Sequence, residues 1–239
     1  MTELFDTHAH FEGDEKSVAA AVARAAAAGV TRIMAVGGSP ELNRTTAGFA
    51  YRAIGWDRDM AGKDTDPLDY TGAAAVGEIG LDYHYSPESA KAQRELFALQ
   101  LETARAFGLP VVIHTRDADE DTLGILREIP SRGVIHCFTG SPKFCRALLD
   151  LGFMISISGI VTFNAADNVR ESALAVPDDR ILIETDSPFL APVPVRGKPN
   201  EPANLVHTAK FLAALRGMPF EDFAALTVSN AIGLFGDRK

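Results

Sequence analysis

The chain has 239 residues, 46% of them hydrophobic and 23% charged, the balance of an ordinary globular protein long enough for one large domain. Its formal net charge of −9 and pI near 5.1 exclude a protein that coats nucleic acid through a broad basic surface, while leaving room for local phosphate contacts. Cys137 and Cys145 lie in one short segment, which excludes a disulfide framework and predicts reduced thiols.

The start, MTELFDTHAH, has neither a basic n-region nor an apolar h-region, and the Ala-rich run over 18–30 is interrupted by Arg24. A cytoplasmic protein without a membrane anchor is expected. The first strand is predicted over Leu4–Thr7. Alternation of side chains in an extended segment puts Asp6, His8 and His10 on one face beside buried neighbours, and a metal ion is one candidate partner for such a cluster. A helix follows over Glu15–Ala28, stopped at Gly29, then strands over Arg32–Val36 and Ala53–Gly55. Residues 56–72, WDRDMAGKDTDPLDYTG, are polar and lack a long apolar stripe, so this stretch is expected to be mostly loop. Beyond it the pattern predicts a strand over Ala74–Glu78 and a helix over Ser89–Phe107, closed by Gly108. Strand Pro110–His114, helix Asp119–Glu128 and strand Val134–His136 come next. Helix Pro142–Leu151 ends at Gly152, before strand Phe153–Ile157, helix Val169–Ala175, strand Ile181–Glu184 and two further helices.

Eight strands alternating with helices in this length predict a (β/α)₈ TIM barrel with its third helix reduced; a doubly wound open sheet is the alternative. No Ser/Gly linker or break in composition divides the chain, so residues 1–239 are read as a single domain.

The strand ends carry the chemistry. Strand 1 ends in His8 and His10, strand 4 in Glu78, strand 5 in His114, strand 6 in His136, and the eighth runs into Asp186. In a barrel those positions converge at one mouth. The other two of the six histidines, His84 and His207, fall in a loop and a helix and are assigned to no site. Four imidazoles and two carboxylates exceed what one tetrahedral ion takes, so two divalent cations sharing Glu78 are expected. Histidine-rich ligation suits Zn, Mn, Fe or Ni better than Mg.

The segments DTHAH, GEIGLDYH at 77–84, VIHTRDA at 112–118, HCFTG at 136–140, ETDSPFLAP at 184–192 and RGKPNEP at 196–202 resemble the TatD family of metal-dependent deoxyribonucleases. The resemblance spans nearly the whole chain. It implies a TIM barrel, a divalent-metal site at which Mg supports activity, and 3′ to 5′ exonuclease activity on DNA. It also implies that His8, His10, Glu78 and Asp186 form one metal site and Glu78, His114 and His136 the second.

For phosphodiester hydrolysis Asp186 is placed to orient the attacking water and accept its proton. Arg116 could hold a phosphate or pair with Asp117 or Asp119. The loop RGKPNEP reads as a phosphate clamp made by Arg196, Lys198 and Asn200, with Glu201 either holding Arg196 or approaching a further cation; a solvated basic turn is the competing view. Asp82 is either support for a ligand or a turn residue, and Trp56 either core filling or a stacking platform. One stretch departs from the family. Where relatives carry G-x-H-P after strand 3, this chain has GWDR at 55–58, so Asp57 stands in place of a histidine. A carboxylate at the mouth would repel phosphate or hold a further cation. The expected substrate is DNA ends or single-stranded DNA, acted on by a monomer. Hydrolysis of another ester or amide such as D-aminoacyl-tRNA, or a catalytically weak metal-binding protein, are the other readings.

Overall fold

The apolar start of the chain forms β1, Leu4–Ala9, buried at every position, and Asp14 begins α1, Glu15–Ala27, by accepting the Ser17 backbone N–H at 2.8 Å. The structure is a computed structural model and describes residues 2–238. In order there follow β2 (Val30–Gly38), α2 (Pro40–Thr45), β3 (Tyr51–Trp56), β4 (Ala75–Asp82), α3 (Ala90–Phe107), β5 (Val111–Arg116) and α4 (Asp119–Glu128). The chain continues through β6 (Gly133–Ile135), α5 (Pro142–Asp150), β7 (Met154–Ile157), α6 (Asp167–Ala175), β8 (Ile181–Ile183), α7 (Leu205–Leu215) and α8 (Phe220–Phe235). All eight strands lie in one sheet in sequence order, each parallel to the next.

The sheet closes where β1 meets the segment after β8. Ala9 and Ser187 form a parallel bridge, the Asp186 N–H donates to His8 O at 2.9 Å, and the His10 N–H donates to Ser187 O at 2.8 Å. The predicted barrel is therefore the observed fold, and the open-sheet alternative is excluded. Residues 56–72 contain no α-helix, only the 3₁₀ turn Arg58–Met60, so the third outer helix is reduced as expected. The sequence pattern did not predict α2. It is six residues long with no buried position, too short to show a period, and is set by Ser39 capping Leu42 N–H and by Pro40 in its first turn.

Two apolar layers hold the barrel. Phe5, Met34, Val112, Val134 and Leu182 fill the interior together with Leu234 and Phe235 at the end of α8. Leu4, Val111, Ile113, Ile135, Ile181 and Ile183 face outward, against helix residues such as Phe97, Leu101, Leu148 and Leu212. Burying each such side chain contributes about 1.5–3 kcal/mol. Strand β4 runs four residues past the predicted end at Glu78 and carries Asp82 into the buried interior, and two glutamines of α3 account for this. Gln93 accepts the Asp82 N–H and donates to Asp82 O, while Gln100 accepts the Trp56 N–H and donates to Trp56 O. Seven residues apart, they share one helix face and tie down the ends of β4 and β3.

Between Glu78 and Asp82 the strands β4 and β5 approach so closely that a Cβ on Gly80 would stand 2.0 Å from His114 O, and Gly80 has φ of 133°. Gly80→Ala is expected to destabilise the fold by about 3 kcal/mol or more, read as a fall in the thermal midpoint. An unchanged midpoint would mean that β4 and β5 separate there at no cost.

Candidate metal centre

Glu78 stands at the centre of the C-terminal mouth, and its two oxygens face different partners. Oε2 lies 3.4 Å from His8 Nε2 and 3.4 Å from His10 Nε2, whose nitrogens are 3.1 Å apart. Oε1 lies 3.4 Å from both His114 Nδ1 and His136 Nε2, which are likewise 3.1 Å apart. Asp186 Oδ1 completes the first group at 3.8 Å from His8 and His10. Ligand atoms about 2.0–2.1 Å from a tetrahedral ion sit roughly 3.3 Å from one another, so both groups have the spacing that a divalent ion requires. The donor set, imidazole nitrogen with carboxylate oxygen, suits such ions as well. The structure thus brings together all six residues predicted from the strand ends.

Further contacts hold three of these imidazoles in orientation. His114 Nε2 meets Asp82 Oδ2 at 2.9 Å, His136 Nδ1 meets Glu184 Oε1 at 3.3 Å, and His10 Nδ1 meets Val36 O at 3.0 Å. In each ring the other nitrogen is left facing Glu78. His8 differs: its Nδ1 is buried without a partner, and the ring stacks on His136 at 3.9 Å between centroids. Asp82 has both of the roles weighed for it. One oxygen meets His114, and the other accepts the backbone N–H groups of His84 and Tyr85 in the turn after β4.

Asp186 sits three residues beyond β8 with φ of 55°, in a turn pinned from beneath by Asp6. Asp6 accepts from the Thr185 N–H and hydroxyl and from the His8 N–H. The expectation that Asp6 shares a face with His8 and His10 is corrected here. A register shift in β1 between Asp6 and Ala9 breaks the simple alternation, and the Asp6 carboxyl turns to Thr185.

Burial alone would raise the Glu78 carboxyl, but His136, His10 and His8 around it hold it well below the usual carboxylate range. Burial would lower His136, yet Glu78 and Glu184 outweigh it and hold that ring well above its ordinary value. Burial pushes Asp186 up to about 7 and His8 down to about 4. Burial and the nearby Asp186 charge raise the Cys137 thiol well above its normal range; both cysteines are free.

The substrate contacts expected from sequence fare less uniformly. Arg116 lies at the end of β5 in the cleft wall, stacked 4.9 Å over Tyr85, and pairs with neither Asp117 nor Asp119; Asp117 instead meets His84 at 3.1 Å. Arg196 and Lys198 are exposed, with the Arg196 guanidinium 4.1 Å above the Phe163 ring. Asn200 is corrected: it is buried, its amide nitrogen donates to Thr185 O and Phe189 O, and its oxygen accepts from Glu201 N–H and Asn204. Every polar atom of that side chain is engaged inside the protein, so none is left for a phosphate. Glu201 holds Arg24 of α1 rather than Arg196. Trp56 is 8% exposed, a core side chain.

Asp57 is the third correction. Its carboxylate caps the 3₁₀ turn by accepting the Asp59 N–H at 2.9 Å and packs over Gly38. The cleft wall at this point is Arg58 and Asp59. Sequence reasoning also passed over Glu184, which ends the predicted strand 8 and would have been found by the strand-end argument applied without exception. The cleft as a whole has a volume of about 820 Å³.

The barrel and this donor set define a metal-dependent hydrolase. Comparison supplies the family: the model described as TatD related DNase matches residues 5–236, and the chain belongs to the TatD family. It is 40% identical over 263 aligned positions to the uncharacterized metal-dependent hydrolase YcfH of Escherichia coli, an alignment covering 97% of this chain and 95% of that protein. It is 39% identical to the uncharacterized metal-dependent hydrolase YabD of Bacillus subtilis, over 97% of this chain and 98% of the relative. The crystal structure of YjjV, a TatD homolog from Escherichia coli, superposes with a TM-score of 0.88 at 28% identity, covering 98% of each chain. Among the described residues no helix is long and apolar enough to cross a membrane.

Two outcomes follow from this geometry. Without metal, Asp186 keeps its proton up to about pH 7, and His10 and His136 titrate above the ordinary histidine value. A cation must displace those protons, so affinity for Zn or Mn is expected to fall as pH drops through about 7, with protons released on uptake. Calorimetry in two buffers of different ionisation enthalpy measures the release; equal affinity at about pH 6 and pH 8 would contradict it. Asn200→Ala is expected to cost about 2 kcal/mol of stability, because two carbonyls, the buried one of Thr185 and the part-buried one of Phe189, lose their donor. If the substitution instead spares the thermal midpoint and raises KM, the clamp reading returns.

Proposed function

We propose that the chain is a divalent-metal-dependent 3′ to 5′ exodeoxyribonuclease, a cytoplasmic monomer that cleaves phosphodiester bonds at DNA ends or in single strands. The observation that carries this reading is the division of Glu78 between two ligand groups, the arrangement by which one carboxylate serves two cations. His8, His10 and Asp186 with Glu78 would hold one ion, and His114 and His136 with Glu78 the other. Such ions supply positive charge to a phosphate and lower the pKa of water; Mg, Mn, Zn, Fe or Ni are the candidates.

The protein's own groups supply position. Asp186, in a turn anchored by both Asp6 and the barrel seam, accepts the proton of the attacking water. Arg116 at the rim, stacked on Tyr85 and without an acidic partner among the described residues, is available to a phosphate oxygen, and Arg196 and Lys198 offer charge to the strand beyond.

Incubating the purified protein with end-labelled single-stranded DNA and each metal in turn tests the reading. Release of nucleotides from the 3′ end is expected, abolished in Glu78→Ala. Asp186→Asn should remain folded and lose activity by about a hundredfold or more. Release by neither wild type nor mutant would refute the nuclease, and deacylation of D-aminoacyl-tRNA in its place would give the same centre to the other substrate.

A further inference from the structure

Arg58 was not singled out by the sequence, yet with Arg116 it places a fixed positive charge in the cleft wall. It opens the 3₁₀ turn after β3, where Asp57 caps the backbone and directs the chain back over the mouth. Its side chain is 22% exposed and faces three carboxylates: Glu78 Oε1 from Nη1 at 3.7 Å, Asp82 Oδ2 from Nε at 3.7 Å and Asp59 Oδ1 from Nε at 3.9 Å. All three distances exceed a hydrogen bond. Among the described residues the guanidinium makes no hydrogen bond, and its Nε is buried without a partner.

A guanidinium whose Nε is buried without a partner is costly to keep, and its Nη1 and Nη2 groups make no hydrogen bond among the described residues. The carboxylates around it favour its charge, but all from beyond hydrogen-bond distance. Glu78 Oε1 faces His114 and His136, and Asp82 accepts from His84 and Tyr85 while meeting His114. The Nη groups are left open to solvent or to a group that enters the cleft. A planar fork of N–H groups beside a metal-ligating carboxylate matches a tetrahedral oxyanion, whose oxygens accept two parallel hydrogen bonds.

We infer that Arg58 is a phosphate-binding, specificity-determining residue of this chain, seating non-bridging oxygens of the substrate phosphate on the His114–His136 side of Glu78. The inference rests on the phosphoester chemistry proposed above. In the segment GWDR it is therefore Arg58, the residue after Asp57, that brings a cation to the cleft.

Inorganic phosphate is the probe. Its affinity for the metal-loaded wild type, Arg58→Met and Arg58→Lys is measured by calorimetry, with metal content by elemental analysis and folding by thermal midpoint. Arg58→Met is expected to weaken phosphate binding at least about tenfold at unchanged metal content, the scale of losing a hydrogen bond to a charged group. Arg58→Lys, which keeps the charge but not the fork, should fall between, and it decides the question should Arg58→Met not fold. Unchanged phosphate affinity in both variants overturns the inference. So does an added equivalent of metal in Arg58→Met with phosphate affinity retained, which would make Arg58 a stand-in for a cation. Wild type that cleaves DNA while Arg58→Met binds phosphate normally refutes the arginine's role alone. Wild type that neither cleaves DNA nor binds phosphate refutes both readings.

Discussion

The seam that closes the barrel is the constraint on which the site depends. Two parallel hydrogen bonds, from Asp186 N–H to His8 O and from His10 N–H to Ser187 O, join the first strand to the segment after the last. Without them His8 and His10 would belong to one sheet edge and Asp186 to the other. Asp6 reinforces the junction by accepting from Thr185. Burial raises its carboxyl to about 8, against the pull of the Thr185 and His8 donors around it. Thr7 adds a third tie, donating from its hydroxyl to Ile183 O at 2.9 Å. Closure and assembly of the first ligand group are therefore one event.

Electrostatically the mouth is organised around Glu78. Four imidazoles crowd one buried carboxylate, and each half of the carboxylate polarises a different pair. Such crowding is unfavourable for an empty protein, since protonating one ring raises the cost of protonating its neighbour; His136 and His8, stacked face to face, diverge in opposite directions. A dication relieves this, because it needs every ring in its neutral form. The supporting acids Asp82 and Glu184 stand behind His114 and His136, on the side away from Glu78, where they fix orientation without competing for the same space.

Most of this centre was legible in the sequence because barrel geometry turns a linear rule, residues at strand ends, into a spatial one. His8, His10, Glu78, His114, His136 and Asp186 all obeyed it. What escaped were contacts set by tertiary geometry alone. Gln93 and Gln100 look like solvent-exposed helix formers, yet the uncommitted backbone at the ends of β3 and β4 draws both amides inward. Asn200 resembles a basic-loop ligand from its neighbours, but its amide fits between two carbonyls of the turn bearing Asp186. Asp57 and Arg58 are adjacent in sequence, but the Asp57 carboxylate is taken up in capping the 3₁₀ turn and Arg58 lines the cleft.

The missing third helix separates two tasks that an outer helix normally performs together. One is to cover the apolar back of its strands, the other to fix the strand ends in space. Between β3 and β4 the covering is left to a polar loop, and the two strands pair through only Ala53–Ala75 and Ile54–Val76. The fixing is done by α3, whose glutamines reach the ends of both strands. Insertions and deletions over residues 64–68 thus act away from this anchorage, whereas Tyr70 and Thr71 are tied to α3 and β3. This sector of the barrel can vary in length while Glu78 keeps its coordinates, which makes it the place where a chain of this architecture can remodel its rim without disturbing the chemistry below.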